Sequence, residues 1–453
     1  MTSSALLGVP ARGERDSDLD SAGGASLGPE KDPLNPYFIR NVVRESGERL
    51  SLLCRRSTGQ PLFDPTCYAV AELRGAGHAS ATIEQALRAV MALYLIFDRM
   101  GVDLDVRFQE FRVLEPHEVE DLMRQCLLPF RRLVADEGYP GNVIPLDGSS
   151  AIALTEDSDV LSRRAYAIRL LYIRDYLRWL SPHRVARLRL NRDPRADQME
   201  AAFEQVLSLL GTRIPKRRGR AVLGQREGLS KEQRARLLAV IDPAAPDNPW
   251  TSAHARERNR AMIRTLLKLG CRRGELLGLR VRDVNFATGM VRIVRKADDP
   301  TDPRMRQPLV KTLDREVALG EEVTTLVRQY VRGARQALKG ARRHGFLFVA
   351  NGSGAPLSLD GLSKAFSALR RGCPDLPSDL SPHVLRHTWN DEFSEYADRA
   401  GMSEAEEMQV RNYAMGWQHD SGSSQFYLRR HTRERAAAAQ TTMQNKLVGK
   451  INR

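Results

Sequence analysis

Ser381-Pro382-His383-Val384-Leu385-Arg386-His387 is the stretch on which the reading of this chain turns. Serine followed by proline is a helix start, because the hydroxyl accepts from an otherwise unpaired N–H of the first turn and proline fits a position that needs no N–H. His383 and Arg386, three apart, then share one face near the positive end of the helix dipole, where an anion is favoured. A phosphate fits such a place. Taken alone, a His-x-x-Arg step also describes an ordinary helix with a satisfied imidazole and a solvated guanidinium.

Working outward, the next informative stretch downstream is Met415-Gly416-Trp417-Gln418-His419-Asp420-Ser421-Gly422-Ser423-Ser424-Gln425-Phe426-Tyr427. Upstream stands Gly270-Cys271-Arg272-Arg273-Gly274-Glu275-Leu276, with Arg272 in a turn just past an apolar helix that Gly270 can end in a left-handed conformation. Arg272, Arg386, His383 and the Trp417 indole N–H can surround a phosphate with donors, and Tyr427 can attack it. Cleaving a phosphodiester without a metal requires several kcal/mol of stabilisation for charge developing on the non-bridging oxygens, which paired guanidiniums provide in bidentate geometry. A tyrosine is only roughly 0.1% phenolate at neutral pH, so it needs a cationic pocket or a base. The leaving oxygen needs a proton, which a lysine depressed by neighbouring cations can give.

Composition agrees with a polyanionic partner. The 453 residues carry 70 Lys and Arg against 56 Asp and Glu, a net charge of +14 and a pI near 9.8, which favours nucleic acid. With 42% apolar residues the chain can bury two or three separate cores. Cys54, Cys67, Cys126, Cys271 and Cys373 form no CxxC pair, and no His, Asp or Glu cluster has metal-ligand spacing, so neither a metal nor another cofactor is expected. No basic start with an apolar run marks a signal peptide, and no apolar stretch of about 18 residues is expected to span a bilayer. The expectation is a cytoplasmic protein that does not enter the membrane.

Residues 1–61 read as a disordered leader, Gly-, Ser- and Pro-rich to about 35, with an N-terminal extension. Ile83, Leu87, Val90, Tyr94 and Phe97 recur at helical steps, with Thr82 and Gln85 as a capping box; Tyr166, Leu170, Ile173 and Tyr176 repeat the pattern until Pro182 ends the run. A helical domain over 62–210 follows. Residues 211–227 form a basic linker in which Arg213, Lys216, Arg217, Arg218 and Arg220 are candidate DNA-backbone contacts. The second domain runs from 228 to 453, with Ser230 capping its first helix, strands at 290–295 and 315–319, a polar Pro-rich insertion at 298–304 between them, and a helical tail after Tyr427.

These boxes carry a resemblance. From about residue 65 to the end, and most strongly over 228–430, the chain resembles the tyrosine recombinases of the phage integrase family. Arg272-Arg273-Gly274-Glu275-Leu276 is close to the family's Arg-x-x-Glu-Leu, and His383-Val384-Leu385-Arg386-His387 matches its His-x-Leu-Arg-His residue for residue. Gly416-Trp417 corresponds to the Gly-His or Gly-Trp dipeptide that precedes the nucleophile, here Tyr427. Cys271 replaces a leucine, and the Trp417-to-Tyr427 interval is one residue longer than usual, which keeps His419 as a substitute for Trp417. The family's general-acid lysine lies in a β-hairpin. Val310-Lys311-Thr312-Leu313-Asp314-Arg315 resembles that pattern and favours Lys311, with Lys296 as the alternative. Glu275 is read as a buried orienter of the arginines, and His387 as a supporting residue.

The resemblance implies a mainly α fold with a small β-sheet: a helical core-binding domain and a mixed α/β catalytic domain closing on double-stranded DNA. It implies strand cleavage and exchange through a 3′-phosphotyrosyl link and a Holliday junction, without metal or ATP, by a homotetramer on two recombination sites, with accessory recombinases or DNA-bending proteins as further partners. Integration, transposition by a mobile element and dimer resolution all remain open. The rival readings are relaxation of DNA in the manner of a type IB topoisomerase, and a non-catalytic DNA-binding protein of the same fold.

Overall fold

The computed structural model describes residues 34–135, 160–215, 228–310, 312–418 and 440–444. Two compact units divide between residues 218 and 219, except that residues 43–49 count with the second.

The first unit begins with an antiparallel hairpin, β1 (Tyr37–Val43) and β2 (Arg49–Arg55), in a stretch expected to be disordered only to about 35 and otherwise left without structure. The alternation of buried and open positions along Arg49–Arg55 explains it, since Ser51 and Leu53 turn inward at period two. Helices follow: α1 (Phe63–Cys67), α2 (Ser80–Met100), α3 (Leu104–Gln109), α4 (Pro116–Gln125), α5 (Phe130–Val134), α6 (Arg163–Leu190) and α7 (Ala196–Arg213). The core centres on α2, whose Ile83, Leu87, Val90 and Phe97 are buried with Leu170, Ile173, Tyr176 and Leu177 of α6. Such a face is what the helical period demands.

Four expectations need correcting here. Helix α2 starts at Ser80 with Ala79 as its cap, so Thr82 lies inside it, and its N–H bonds the Ala79 carbonyl at 2.8 Å. Pro182 lies within α6 and does not end it, because buried Tyr176, Leu177, Leu180 and Val185 on either side outweigh the one lost hydrogen bond. The stretch assigned to a linker from 211 begins as the last turn of α7, and Arg213 there pairs with Glu120 at 2.9 Å. Finally, α2 is long and apolar enough to cross a membrane by length and composition, although 61% of that window is buried inside the protein. It is a core helix.

The second unit runs through α8 (Lys231–Val240), α9 (Ala253–Leu269), α10 (Arg273–Gly278), β3 (Val284–Asn285), β4 (Met290–Ile293), β5 (Arg315–Ala318), α11 (Glu321–Tyr330), α12 (Leu359–Gly372), α13 (Pro382–Arg399) and α14 (Glu404–Met415). Ser230 and Gln233 cap α8 reciprocally, and Gly270 ends α9 at φ 55°. A residue with Cβ at 270 would come within 2.8 Å of the Trp389 ring and 2.9 Å of the Met415 methyl. The sheet is antiparallel in the order β3-β4-β5, with Met290 opposite Ala318 and Ile293 opposite Arg315.

At the entry to this unit the Gly228 N–H donates to the Asp391 carboxylate at 3.1 Å and the Leu229 N–H to the Thr388 hydroxyl at 2.8 Å, both on α13. A Cβ at 228 would sit 2.6 Å from the Thr388 Cα, so glycine is required by the approach itself.

Candidate active site

Three chain segments meet around Gly270. Arg272 is the residue that caps α10, in extended conformation, and its N–H donates to the Glu275 carboxylate at 3.0 Å. Ser381 accepts from the Val384 N–H, and Pro382 opens α13, which sets His383, Arg386 and His387 in the first turns of that helix. Arg386 is 2% exposed. Its Nη1 donates to the Gly270 carbonyl at 2.7 Å, which fastens α13 to the turn just before Arg272. Its Nη2 is buried and has no hydrogen-bond partner among the described residues. A buried, always-charged donor in that state costs free energy unless an acceptor arrives.

Glu275 lies at the centre of a buried web. It is 1% exposed and accepts from Arg315 Nη2 at 2.7 Å and from the Thr312 hydroxyl at 2.6 Å, while Arg272 Nη1 stands 3.9 Å away. Burial pushes its carboxyl up, but the Arg315 and Arg386 guanidiniums and these two hydrogen bonds more than reverse that and hold it below the ordinary glutamate value. Glu275 is therefore a carboxylate tied inward, and its tightest partner is Arg315. Arg315 Nη1 also donates to the Thr312 hydroxyl at 3.1 Å and Nε to the Ala414 carbonyl at 2.8 Å. The Leu313 N–H bonds the Gly416 carbonyl at 2.9 Å. One residue later, Trp417 is 5% exposed with its ring 5.2 Å from the Arg386 guanidinium carbon.

The structure thus gathers Arg272, Glu275, Arg386 and Trp417 with the strand that follows position 311. Thr312 and Arg315 were not among the residues singled out for a role, although both stand in the quoted 310–315 pattern; the signal was an arginine at an inward-facing strand position opposite Ile293. His383 and His387 face each other with Nε2 atoms 3.1 Å apart, one donating and the other accepting. Lys296 follows β4, and its carbonyl accepts from the Gln307 side chain at 2.6 Å. The Cys271 thiol is fully buried and pushed up to about 12 by burial and by Glu275, so it stays protonated and inert. Lys311, His419, Tyr427, Lys216, Arg217, Arg218 and Arg220 lie outside the described residues.

The geometry fixes the Arg386 guanidinium between the Gly270 carbonyl and the Trp417 ring, with Arg272 beside Glu275. Residues 228–429 match the model of the phage integrase family. Over that stretch the chain is similar to the tyrosine recombinases of that family. Over 132 residues it is 30% identical to the tyrosine recombinase XerD of Halalkalibacterium halodurans, covering 29% of this chain and 39% of the relative. XerD of Ralstonia nicotianae is 31% identical over 166 residues, 36% of this chain and 45% of the relative. The chain therefore spans less than half the length of these curated relatives. Among solved structures it is similar to the XerH recombinase bound to a palindromic difH substrate, at 14% identity and a TM-score of 0.37 over 77% of this chain and 93% of that one. A lambda integrase dimer bound to a COC′ core site is 13% identical, with a TM-score of 0.33 over 86% and 95%.

Proposed function

We propose that the protein is a site-specific DNA recombinase, an integrase or transposase-like enzyme of the cytoplasm that cuts and exchanges strands without a metal. The observation that carries this reading is the buried Arg386 Nη2, which has no partner among the described residues, beside Arg272, whose side chain is 20% exposed, and Trp417. A phosphate oxygen is the acceptor such a group calls for.

In this mechanism Arg272, Arg386, His383 and Trp417 bind the non-bridging oxygens of the scissile phosphate. The Tyr427 phenol loses its proton in the cationic pocket, with the neutral member of the His383–His387 pair as the base at hand, and attacks phosphorus. The P–O5′ bond breaks as Lys311 protonates the leaving oxygen, which leaves a 3′-phosphotyrosyl link and a free 5′-hydroxyl. That hydroxyl attacks the partner strand's link, so bond energy is retained. Glu275 holds Arg315 and, through it, the frame of the pocket. Four protomers on two sites, passing through a Holliday junction, would complete the exchange. The basic residues 213–220 track the DNA backbone, with Arg213 first released from Glu120.

A nicked suicide substrate tests the reading. Tyr427→Phe should give no covalent complex while DNA binding stays near wild type. Residual complex that vanishes only when Tyr413, 61% exposed on α14, is also changed would move the nucleophile there. Relaxation of a plasmid that lacks target sites, with no exchange between two sites, would instead favour a topoisomerase-like activity.

A further inference from the structure

The polar, Pro-rich insertion between β4 and β5 is too short of apolar residues to order itself, yet residues 298–307 have a defined conformation. Three arginines hold it. Arg280 Nη2 donates to the Asp299 carboxylate at 2.5 Å and to the Thr301 hydroxyl at 2.6 Å. Arg304 fastens it to the domain by donating to the Leu277 and Leu357 carbonyls at 3.1 and 2.7 Å. The third opens β2, just after the turn from β1. Arg49 is 3% exposed, and its guanidinium donates to the carbonyls of Gly47 at 2.6 Å, Asp302 at 2.7 Å and Arg304 at 3.2 Å, and to Gln307 Oε1 at 3.1 Å. The turn fits closely: Gly47 has φ +86°, and a Cβ there would lie 2.2 Å from the Asp298 carbonyl oxygen.

Gln307 passes this grip on. Its Oε1 also accepts from the Asp299 N–H at 3.2 Å and its Nε2 donates to the Lys296 carbonyl at 2.6 Å, so one side chain ties the two ends of the insertion together. Beyond it, Pro308 and Val310 are buried, and the Leu309 carbonyl lies against Gly274 so closely that a Cβ would come within 2.2 Å. Thr312 is held from the other side by Glu275 and Arg315. Position 311 is thus flanked by two anchors, one of which depends on Arg49.

We propose that Arg49 is a positioning residue for the general acid: it fixes the insertion, and through Gln307 the segment that carries Lys311. This rests on the assignment of Lys311 above. Arg49 touches no reacting atom, so its loss should act on proton delivery to the leaving oxygen and spare phosphate binding and the nucleophile.

The test measures cleavage at saturating DNA on two suicide substrates, one ordinary and one with sulfur in place of the leaving 5′ oxygen. Arg49→Ala should cut the rate on the ordinary substrate by about tenfold to a hundredfold, the scale of a misplaced catalytic group. On the sulfur substrate, which needs no proton to depart, it should stay within about twofold of wild type. Equal losses on both substrates, or no loss on either, would overturn the role of Arg49. Should Arg49→Ala not fold, Gln307→Leu breaks the same chain of bonds, and the same split or its absence decides. Lys311→Ala, run alongside, keeps the two ideas apart: sulfur rescue of Lys311→Ala with equal losses in Arg49→Ala removes only the role of Arg49. A Lys311→Ala variant that sulfur does not rescue removes the general acid and the role of Arg49 with it.

Discussion

The two units are held together in different ways. The first is an apolar helical core: around α2 and α6 the buried side chains are mostly Ile, Leu, Val, Ala, Met, Phe and Tyr, and among the described residues the buried charges of this unit are Glu84, Glu118 and Arg169. The second buries arginine after arginine. Arg258 donates to the Val349 carbonyl, Arg335 to Phe346, Ala341 and His344, Arg386 to Gly270, Arg315 to Ala414 and Arg411 to Asn390. Apolar packing is tolerant of small changes in shape, whereas a guanidinium on a carbonyl fixes two backbones at a set distance and direction. A site that must hold cations ready for an anion gains from the second construction. Its cost is that each arginine is hard to replace.

The largest break in that contrast should come from Arg411, which is fully buried and bonded to Glu407, Ser394 and Asn390. Arg411→Ala leaves Glu407 buried and uncompensated, and should cost about 3–5 kcal/mol. Urea unfolding followed by tryptophan fluorescence reads it, since Trp250, Trp389 and Trp417 lie in the second unit; a loss below about 1 kcal/mol would mean the arginines are not the frame. Next come the two pocket arginines. Arg272→Ala and Arg386→Ala should each slow cleavage on the order of a hundredfold or more at saturating DNA. Arg386→Ala should also lower the melting temperature, because it deprives the Gly270 carbonyl of its donor. A smaller effect is expected in the first unit, where Ile173→Val should cost about 1 kcal/mol and leave cleavage unchanged. A larger effect there would erase the distinction.

The subtlest expectation concerns pH. The Glu275 carboxyl is held below its ordinary value in the folded protein, so its contribution to stability is complete above the unfolded value of about 4.3 and is lost as pH falls through the folded one. Melting temperatures measured from neutral to acid pH should fall more steeply for the wild type than for Glu275→Gln in that range. Parallel curves would mean that Arg315 does not hold an ionised partner.

This difference also explains what could be read in advance. Ile83, Leu87 and Val90 announce α2 by period, Met290–Ile293 announces β4 by alternation, and Ser230, Gly270 and Ser381 mark helix ends through chemistry confined to one turn. Arg272, Glu275 and Arg386 were legible as boxes, and Trp417 by its Gly-Trp dipeptide. Arg49 and Arg315 were not assigned, because their meaning lies in carbonyls 99 to 255 residues away, which leave no periodic trace. The hairpin β1–β2 was missed because it follows a Gly- and Ser-rich stretch whose composition dominated the reading.

The entry of the chain into the second unit has a mechanical meaning. Gly228 and Leu229 are bolted to Asp391 and Thr388, within two turns of Arg386 on the same rigid helix. Any tension applied at Gly228 is therefore borne by α13, within two turns of Arg386. A pull applied at Gly228 reaches Arg386 as a tilt of that helix.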